Sequence, residues 1–247
     1  MEHIYTNFAY MYDKLTYDVD YPKWADYIEE IFKINGVKPS LVLDLGCGTG
    51  SFCVELAKRG YDMIGVDIST DMLSCAKTKS ESEGLDILYL NQDMTDFELY
   101  GTVDAVICLM DSLNYVTLKN DIKRLFRLVK NYLNPGGLFI FDINSNYKLE
   151  KILGDNIFYD IGDDITYIWE NRYDKKRKIC EFDLTFFVKD GENYKKHEEL
   201  HCERAYSVEE IKELIGLSGL KLQSVHNELS LSRPFKNSKR IFFICSK

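Results

Sequence analysis

No apolar run in the 247-residue sequence approaches the roughly 18 residues that a bilayer-spanning helix requires. The start, Met1-Glu2-His3-Ile4, lacks the basic-then-apolar pattern of a secretory signal. A cysteine framework is missing too. The seven cysteines (Cys47, Cys53, Cys75, Cys108, Cys180, Cys202, Cys245) are scattered singly and are odd in number, with no C-x-x-C pair. That pattern argues against both a disulfide scaffold and structural zinc, and the expectation is a cytoplasmic chain with no membrane partner. Basic residues are outnumbered, 31 against 40 acids, for a net charge of −9. Affinity for a phosphate backbone comes largely from Lys and Arg, so nucleic acid is not an expected partner. The run Lys175-Lys176-Arg177-Lys178 lies between two strand-like segments and reads as a solvated turn. Repeats and low-complexity tracts are absent, while the hydrophobic share of 45% and the charged share of 29% are those of a globular chain.

What is present is alternation. Residues 21–32 carry Trp24, Ile28, Ile31 and Phe32 at helical spacing, with Pro22 in the first turn. Strand-like runs follow at 41–45, 61–67, 87–91, 103–110 and 138–143, with helical stretches at 52–59, 70–83 and 119–133 and a turn at Asn134-Pro135-Gly136-Gly137. Such βαβ grammar predicts a mostly parallel sheet with helices on both faces. After Asn144 the grammar changes. Extended segments at 166–173, 179–189 and 194–205 are joined by turn signals and read as hairpins. A helix at 207–217 then opens on a capping box, Ser207 with Glu210, and strands at 220–229 and 240–246 can close the sheet as an antiparallel edge. The expected class is α/β, a seven-stranded mostly parallel sheet plus an inserted antiparallel β subdomain. The expected units are a helical lid at 1–35, a core at 36–144, an insertion at 145–205 and the rest of the core at 206–247.

Between the first strand and its helix stand Gly46, Gly48 and Gly50, which let the backbone turn sharply and a ligand approach the main chain. About 20 residues on, Asp67 ends the next strand, where an acid can take both hydroxyls of a ribose. The alternative for Asp67 is a helix cap, a task that Ser69 or Asp71 could take over. Spacing alone fits a nicotinamide dinucleotide or S-adenosylmethionine (SAM). The G-x-G-x-G order preceded by Asp44, in place of G-x-G-x-x-G, favours SAM. Asp93, after the third strand, is placed to accept an adenine amine, or it belongs to an ordinary turn.

The segments VLDLGCGTG (42–50), GVDIS (65–69), QDMTDF (92–97), VDAVICLMDSLNYV (103–116) and LNPGGLFIFDIN (133–144) resemble, in order and spacing, the motifs of the class I, Rossmann-like SAM-dependent methyltransferases. The resemblance implies that the loop Gly46, Cys47, Gly48 and Gly50 meets the methionine portion of SAM. It assigns Asp67 to the ribose, Asp93 to the adenine amine, Ile68 and Met94 to flank the ring, and the backbone of Cys108 and Leu109 to the methionyl amine, and it counts Asp44 and Gln92 among the cofactor-binding residues. The start FAYMYDKLTYDVDYPKWADYI (8–28) and the β-rich insertion are similar to bacterial small-molecule N-methyltransferases, including sugar N,N-dimethyltransferases. Members use N-terminal tyrosines to cover the SAM site, which points to Tyr12 and Tyr21; Trp24 either joins them or packs a helix. Tyr115 stands where the sugar enzymes place a histidine.

The activity implied is methyl transfer from SAM to a small-molecule acceptor, N- or O-directed, releasing S-adenosylhomocysteine. SAM carries its methyl on an electrophilic sulfonium, so the protein's task is alignment and exclusion of water. Asp111 and Tyr115 are the candidates to assist proton removal. His197-Glu198-Glu199-Leu200-His201 echoes a zinc-protease motif but reads as a strand, where i and i+4 lie about 13 Å apart, and no metal is expected. A nicotinamide-dependent oxidoreductase and a SAM-binding protein without activity remain the alternatives, and monomer and homodimer are both open.

Overall fold

The computed structural model describes the backbone of residues 4–247 and the side chains of Ala9 and of residues 11–247. His3, and the side chains of Tyr5, Phe8 and Tyr10, lie outside the described residues. Two helices open the chain, α1 (Ile4–Leu15) and α2 (Tyr21–Ile34). The Asp20 side chain caps α2 by accepting from the Lys23 amide, and Pro22 sits where its missing N–H costs nothing. The alternating part follows as β1 (Leu41–Leu45), α3 (Ser51–Lys58), β2 (Asp62–Asp67), α4 (Thr70–Ser82), β3 (Leu88–Asn91), β4 (Val103–Cys108), α5 (Lys119–Tyr132) and β5 (Leu133–Asn144). Then come β6 (Ile157–Ile161), β7 (Ile165–Asp174), β8 (Ile179–Asp190), β9 (Asn193–Arg204), α6 (Val208–Ser218), β10 (Lys221–Asn227) and β11 (Arg240–Ser246). The capping box at α6 forms as expected.

The large sheet has the order β10-β11-β5-β4-β1-β2-β3. β11 pairs antiparallel with both β5 and β10, and the pairings of β1, β2, β3, β4 and β5 are parallel. One face buries Leu43, Val106, Phe139 and Phe243 under α5 and α6; the other buries Val42, Ile107, Ile140 and Phe242 under α2 and α3. The sheet is therefore apolar on both sides, as a doubly covered sheet must be. Reversal of strand order beside β1 opens a crevice at the carboxyl ends of β1 and β4.

Two expectations change. The turn at Asn134–Gly137 lies inside β5, whose pairing with β4 shifts register between Val103 and Ala105. Asn134 is tied down there, donating to Asp104 at 2.8 Å and accepting from Thr102, so the kink stays in the ladder as a bulge. The insertion holds four strands instead of three, in the order β6-β7-β8-β9. The additional strand, β6, is an edge strand with no buried residue.

The insertion has a small core of its own, Leu149, Leu153, Cys180, Phe182 and Ala205. It is locked to the large sheet by amides: Asn114 Nδ2 donates to the Arg204 carbonyl (2.9 Å) and the Asn144 carbonyl (3.2 Å), and Asn114 Oδ1 accepts from the Asn144 amide (2.9 Å).

Candidate functional site

The glycine loop leaves β1 with Gly46 and Cys47 amides both donating to the Val66 carbonyl (2.8 and 3.0 Å). Gly46 is at φ +73°, and a Cβ there would come within 2.9 Å of both Met94 and Ser112. Gly50 caps α3 in a left-handed conformation, and a Cβ would meet the Tyr89 hydroxyl at 2.7 Å. Both positions thus need glycine for conformation and for space. Asp67 does more than end β2. Its Oδ2 accepts from the Gly48 amide (2.8 Å) and its Oδ1 from the Ser69 amide (2.9 Å), while Ser69 itself caps α4. The two readings of Asp67 divide accordingly: capping falls to Ser69, and Asp67 stands between the loop and an open cavity.

That cavity, about 310 Å3, is lined by Gly46, Asp67, Ile68, Gln92, Asp93, Met94 and Tyr115, and is closed by Thr117, Leu118 and Asp121. Its size and lining fit a nucleoside, since two acids, Asp67 and Asp93, stand in the lining with the apolar Ile68 and Met94. Asp93 Oδ1 accepts from the Thr95 amide at 2.7 Å, so it also forms the expected turn. Gln92 lines the cavity, but its side-chain amide is held by Glu98 backbone, accepting at 2.7 Å and donating at 3.3 Å. A wider groove of about 800 Å3 along α6 and β10 shares no residue with this cavity.

Asp44 lies behind the loop, 2% exposed. It accepts from the Cys53 thiol (3.3 Å), and burial pushes its carboxyl up to about 7. Because the folded-state value is raised, the folded chain binds more protons than the unfolded chain between about pH 4 and 7. Stability attributable to this group is complete below that window and is lost as pH rises through it. Asp44→Asn is expected to flatten the pH dependence of urea denaturation between pH 4.5 and 7.5 relative to the parent chain; parallel curves would rule Asp44 out as the source.

Beyond Cys108 and Leu109, both buried, the chain enters the left-handed region at two successive non-glycine residues, Met110 (φ +56°) and Asp111 (φ +57°). Their amides converge on the buried Asp142 carboxylate at 2.8 and 3.0 Å. Backbone of this kind persists only where its surroundings over-determine it. Arg240, from β11, bridges the cluster: Nη2 donates to Asp111 Oδ1 (2.6 Å), Nη1 pairs with Asp142, and Nε lies 3.7 Å from Glu228. The guanidinium rests 5.3 Å from the Trp24 ring centroid.

Tyr12 belongs to α1 and Tyr21 opens α2. The Tyr12 hydroxyl is pushed up by burial and then by the charge of Asp111. Tyr21 stands edge-on to Phe52 at 4.9 Å. Trp24, 6% exposed between Phe52, Phe242 and Arg240, is a packing residue of α2. α1 is strapped to the glycine loop through Asp13, which accepts from the Thr49 hydroxyl (2.5 Å) and pairs with Lys79 (2.8 Å).

Opposite, Tyr115 meets His201 of β9 edge to face, ring centroids 5.8 Å apart. Tyr115 is half-exposed where it lines the cavity, while burial pushes His201 down. The strand reading of 197–201 holds. It missed that one of its histidines faces Tyr115. Arg240, Asp142, Glu203 and Asp13 were also missed, because each is a single charge whose partner lies far away in sequence.

A doubly covered α/β sheet with a glycine loop, an acid ending β2 and a nucleoside-sized cavity at its carboxyl end defines a nucleoside-cofactor protein of the Rossmann-like class. A methyltransferase domain family model matches residues 42–137. The YqeM protein of Bacillus subtilis (strain 168), named as a methyltransferase, is 36% identical over 245 residues, covering 99% of this chain and 97% of that protein. The crystal structure of a SAM-dependent methyltransferase from Clostridium acetobutylicum ATCC 824 is 37% identical, with a TM-score of 0.90 over 98% of each chain. The sugar N-methyltransferase KedS8 from Streptoalloteichus sp. ATCC 53650 shares the fold at 20% identity and a TM-score of 0.80, covering 96% of this chain and 92% of that one. The chain belongs to the SAM-dependent methyltransferases. The oxidoreductase alternative finds no support in these relatives.

Proposed function

We propose that the chain transfers the methyl group of SAM to a small-molecule acceptor, at nitrogen or oxygen, held between the carboxyl ends of β4 and β5 and the β6–β9 sheet. The observation that carries this reading is the edge-to-face contact of Tyr115, after β4, with His201 of β9, which brings the β6–β9 sheet to the carboxyl end of the large sheet. Tyr115 also lines the nucleoside-sized cavity, so this contact supports an acceptor site next to it. In this reading Asp67, Ile68, Gln92, Asp93 and Met94 hold the adenosine, and the loop 44–50 with the Cys108 and Leu109 backbone holds the methionine part. Tyr12 and Tyr21 cover the sulfonium. Asp111 or Tyr115 assists proton removal. The fold shared with a sugar N-methyltransferase supports a small acceptor, and seven unpaired cysteines support a reducing, cytoplasmic setting. A SAM-dependent screen over small amines, amino sugars, hydroxylated acids and tRNA, read by S-adenosylhomocysteine release, tests it. Turnover confined to tRNA would refute the small-acceptor reading, and none with any class would favour a SAM-binding protein without activity.

The helices α1 and α2 act as the lid of this site. Asp13 links α1 to the loop that SAM must touch, so cofactor binding and α1 docking are coupled. SAM is expected to raise hydrogen-exchange protection of residues 11–21 on the seconds-to-hours scale. Equal protection with and without SAM would make α1 a permanently docked helix.

A further inference from the structure

One face of the β6–β9 sheet meets Tyr115 through His201, and the pairing register identifies the other side chains on that face. Glu199 precedes His201 by two positions on β9 and so shares its face. Directly opposite Glu199 on β8 stands Leu184, with Phe182 and Phe186 at the diagonals. Phe186 in turn lies between His197 of β9 and Tyr167 of β7, its ring centroid 6.3 Å from that of Tyr167. Phe182 and Phe186 are buried, whereas the opposite face carries the exposed Tyr159, Ile168 and Leu200.

Within this aromatic and aliphatic surface Glu199 is only 8% exposed. Its Oε1 has no hydrogen-bond partner among the described residues. Burial pushes the carboxyl up, and no neighbouring cation pulls it back. Lys195, further along the same face of β9, is engaged with Asp190 at 2.7 Å. Burial pushes His201 down, which keeps it from serving as the missing positive charge. An open carboxylate oxygen in an interior costs stability, and the faces of aromatic rings attract cations. A cationic nitrogen answers both features at once. A neutral hydroxyl answers only the first, and an anion is repelled.

We infer that Glu199, with the rings of Tyr167, Phe182 and Phe186, binds a cationic nitrogen of the methyl acceptor. The inference rests on the small-acceptor methyl transfer proposed above and names its substrate class. A nitrogen held as an ammonium has no free lone pair, so it is a recognition group and not the atom that takes the methyl. The strand geometry agrees. Glu199 lies about 7 Å along β9 from His201, on the side away from Arg204, whose carbonyl is tied to Asn114 in the turn after β4. The cation is thus held farther out than the groups beside Tyr115, and the acceptor carries its nucleophile, a second nitrogen or an oxygen, at some distance from the charge. Diamines, amino alcohols and amino sugars have this form.

Glu199→Gln keeps the shape and removes the charge, and Glu199→Met removes the polar atoms as well. Diamines, amino alcohols and diols of the same skeleton, with spacers of increasing length, are offered with SAM to the full chain, and S-adenosylhomocysteine release is measured. Diamines and amino alcohols should react, and diols should not. In Glu199→Gln the KM of the reacting compounds should rise at least about tenfold, with KM for SAM unchanged. An unchanged acceptor KM, or diols that react as well as amino alcohols, would overturn the inference and leave methyl transfer standing. Turnover of none of these compounds would also overturn it, and the wider screen described above then decides whether methyl transfer itself stands. Urea denaturation without acceptor supplies a reading that needs no substrate. Glu199→Met should unfold at or above the urea concentration of the parent, since the carboxylate it replaces has no partner to lose. A lower midpoint in both variants would make Glu199 a structural residue of the sheet and overturn the inference.

Discussion

Asp67→Ala is expected to weaken SAM binding by a factor of at least about 100, because the ribose role proposed for Asp67 gives it two charge-assisted hydrogen bonds, worth about 1.5–3 kcal/mol each, that are lost together. Calorimetry on the purified variant measures this directly. The geometry adds a second consequence. The same carboxylate accepts from the Gly48 and Ser69 amides, so alanine also leaves two loop donors without their acceptor. A stability loss of about 1–3 kcal/mol without ligand is expected beside the affinity loss. Asp67→Asn distinguishes the two effects, since its remaining oxygen still accepts one loop amide while the charge is gone. Its stability should lie between those of the parent and the alanine variant, and its affinity close to that of alanine. A folded Asp67→Ala chain with the parent's dissociation constant would remove this residue from the cofactor site.

The glycine loop and Asp67 were legible in the sequence because their chemistry is local: a strand, a turn that only glycine permits, and an acid one βαβ unit further on. The parallel strands were legible for a related reason, since burial on both faces writes a continuous apolar run. β6 has no such signature. Ile157, Tyr159 and Ile161 are 62, 70 and 77% exposed, and an edge strand with no buried face follows no pattern that burial imposes. Its partner β7 supplies the pairing. The polar cluster after β4 and β5 was hidden differently. Asp142 meets Arg240 across 98 positions and Asn144 meets Glu203 across 59, and no periodicity connects such pairs. Asp13 shows how a local reading misleads: it looks like an interruption in an aromatic helix, yet it is the residue that ties α1 to Thr49.

Arg240→Met is expected to cost about 3–5 kcal/mol of stability, since removing one partner of a buried ion cluster leaves the others uncompensated. Arg240 is 6% exposed and Asp142 fully buried, so water cannot replace the guanidinium. Methionine of similar length keeps much of the packing under Trp24, which makes charge the main quantity changed. The sign with pH follows from the cation's role. Arg240 opposes the rise that burial imposes on Asp142, so its loss raises that carboxyl further. A group whose folded-state value is raised stabilises below its unfolded value and loses that contribution as pH rises. The deficit of Arg240→Met should therefore be small near pH 4 and grow towards pH 8, as Asp142 is forced to ionise without its partner. Adding Asp142→Asn should recover part of the loss at pH 8 and little at pH 4, because the amide still accepts from the Met110 or Asp111 amide and carries no charge. Urea denaturation of the parent, the single variants and the double variant at both pH values measures each quantity. A deficit below about 1 kcal/mol, as for exposed ion pairs, or one equal at the two pH values, would show that Arg240 acts through packing alone. Transfer should fall with stability in Arg240→Met even where SAM still binds, because Arg240 is the cation that holds Asp111, which is proposed to assist proton removal.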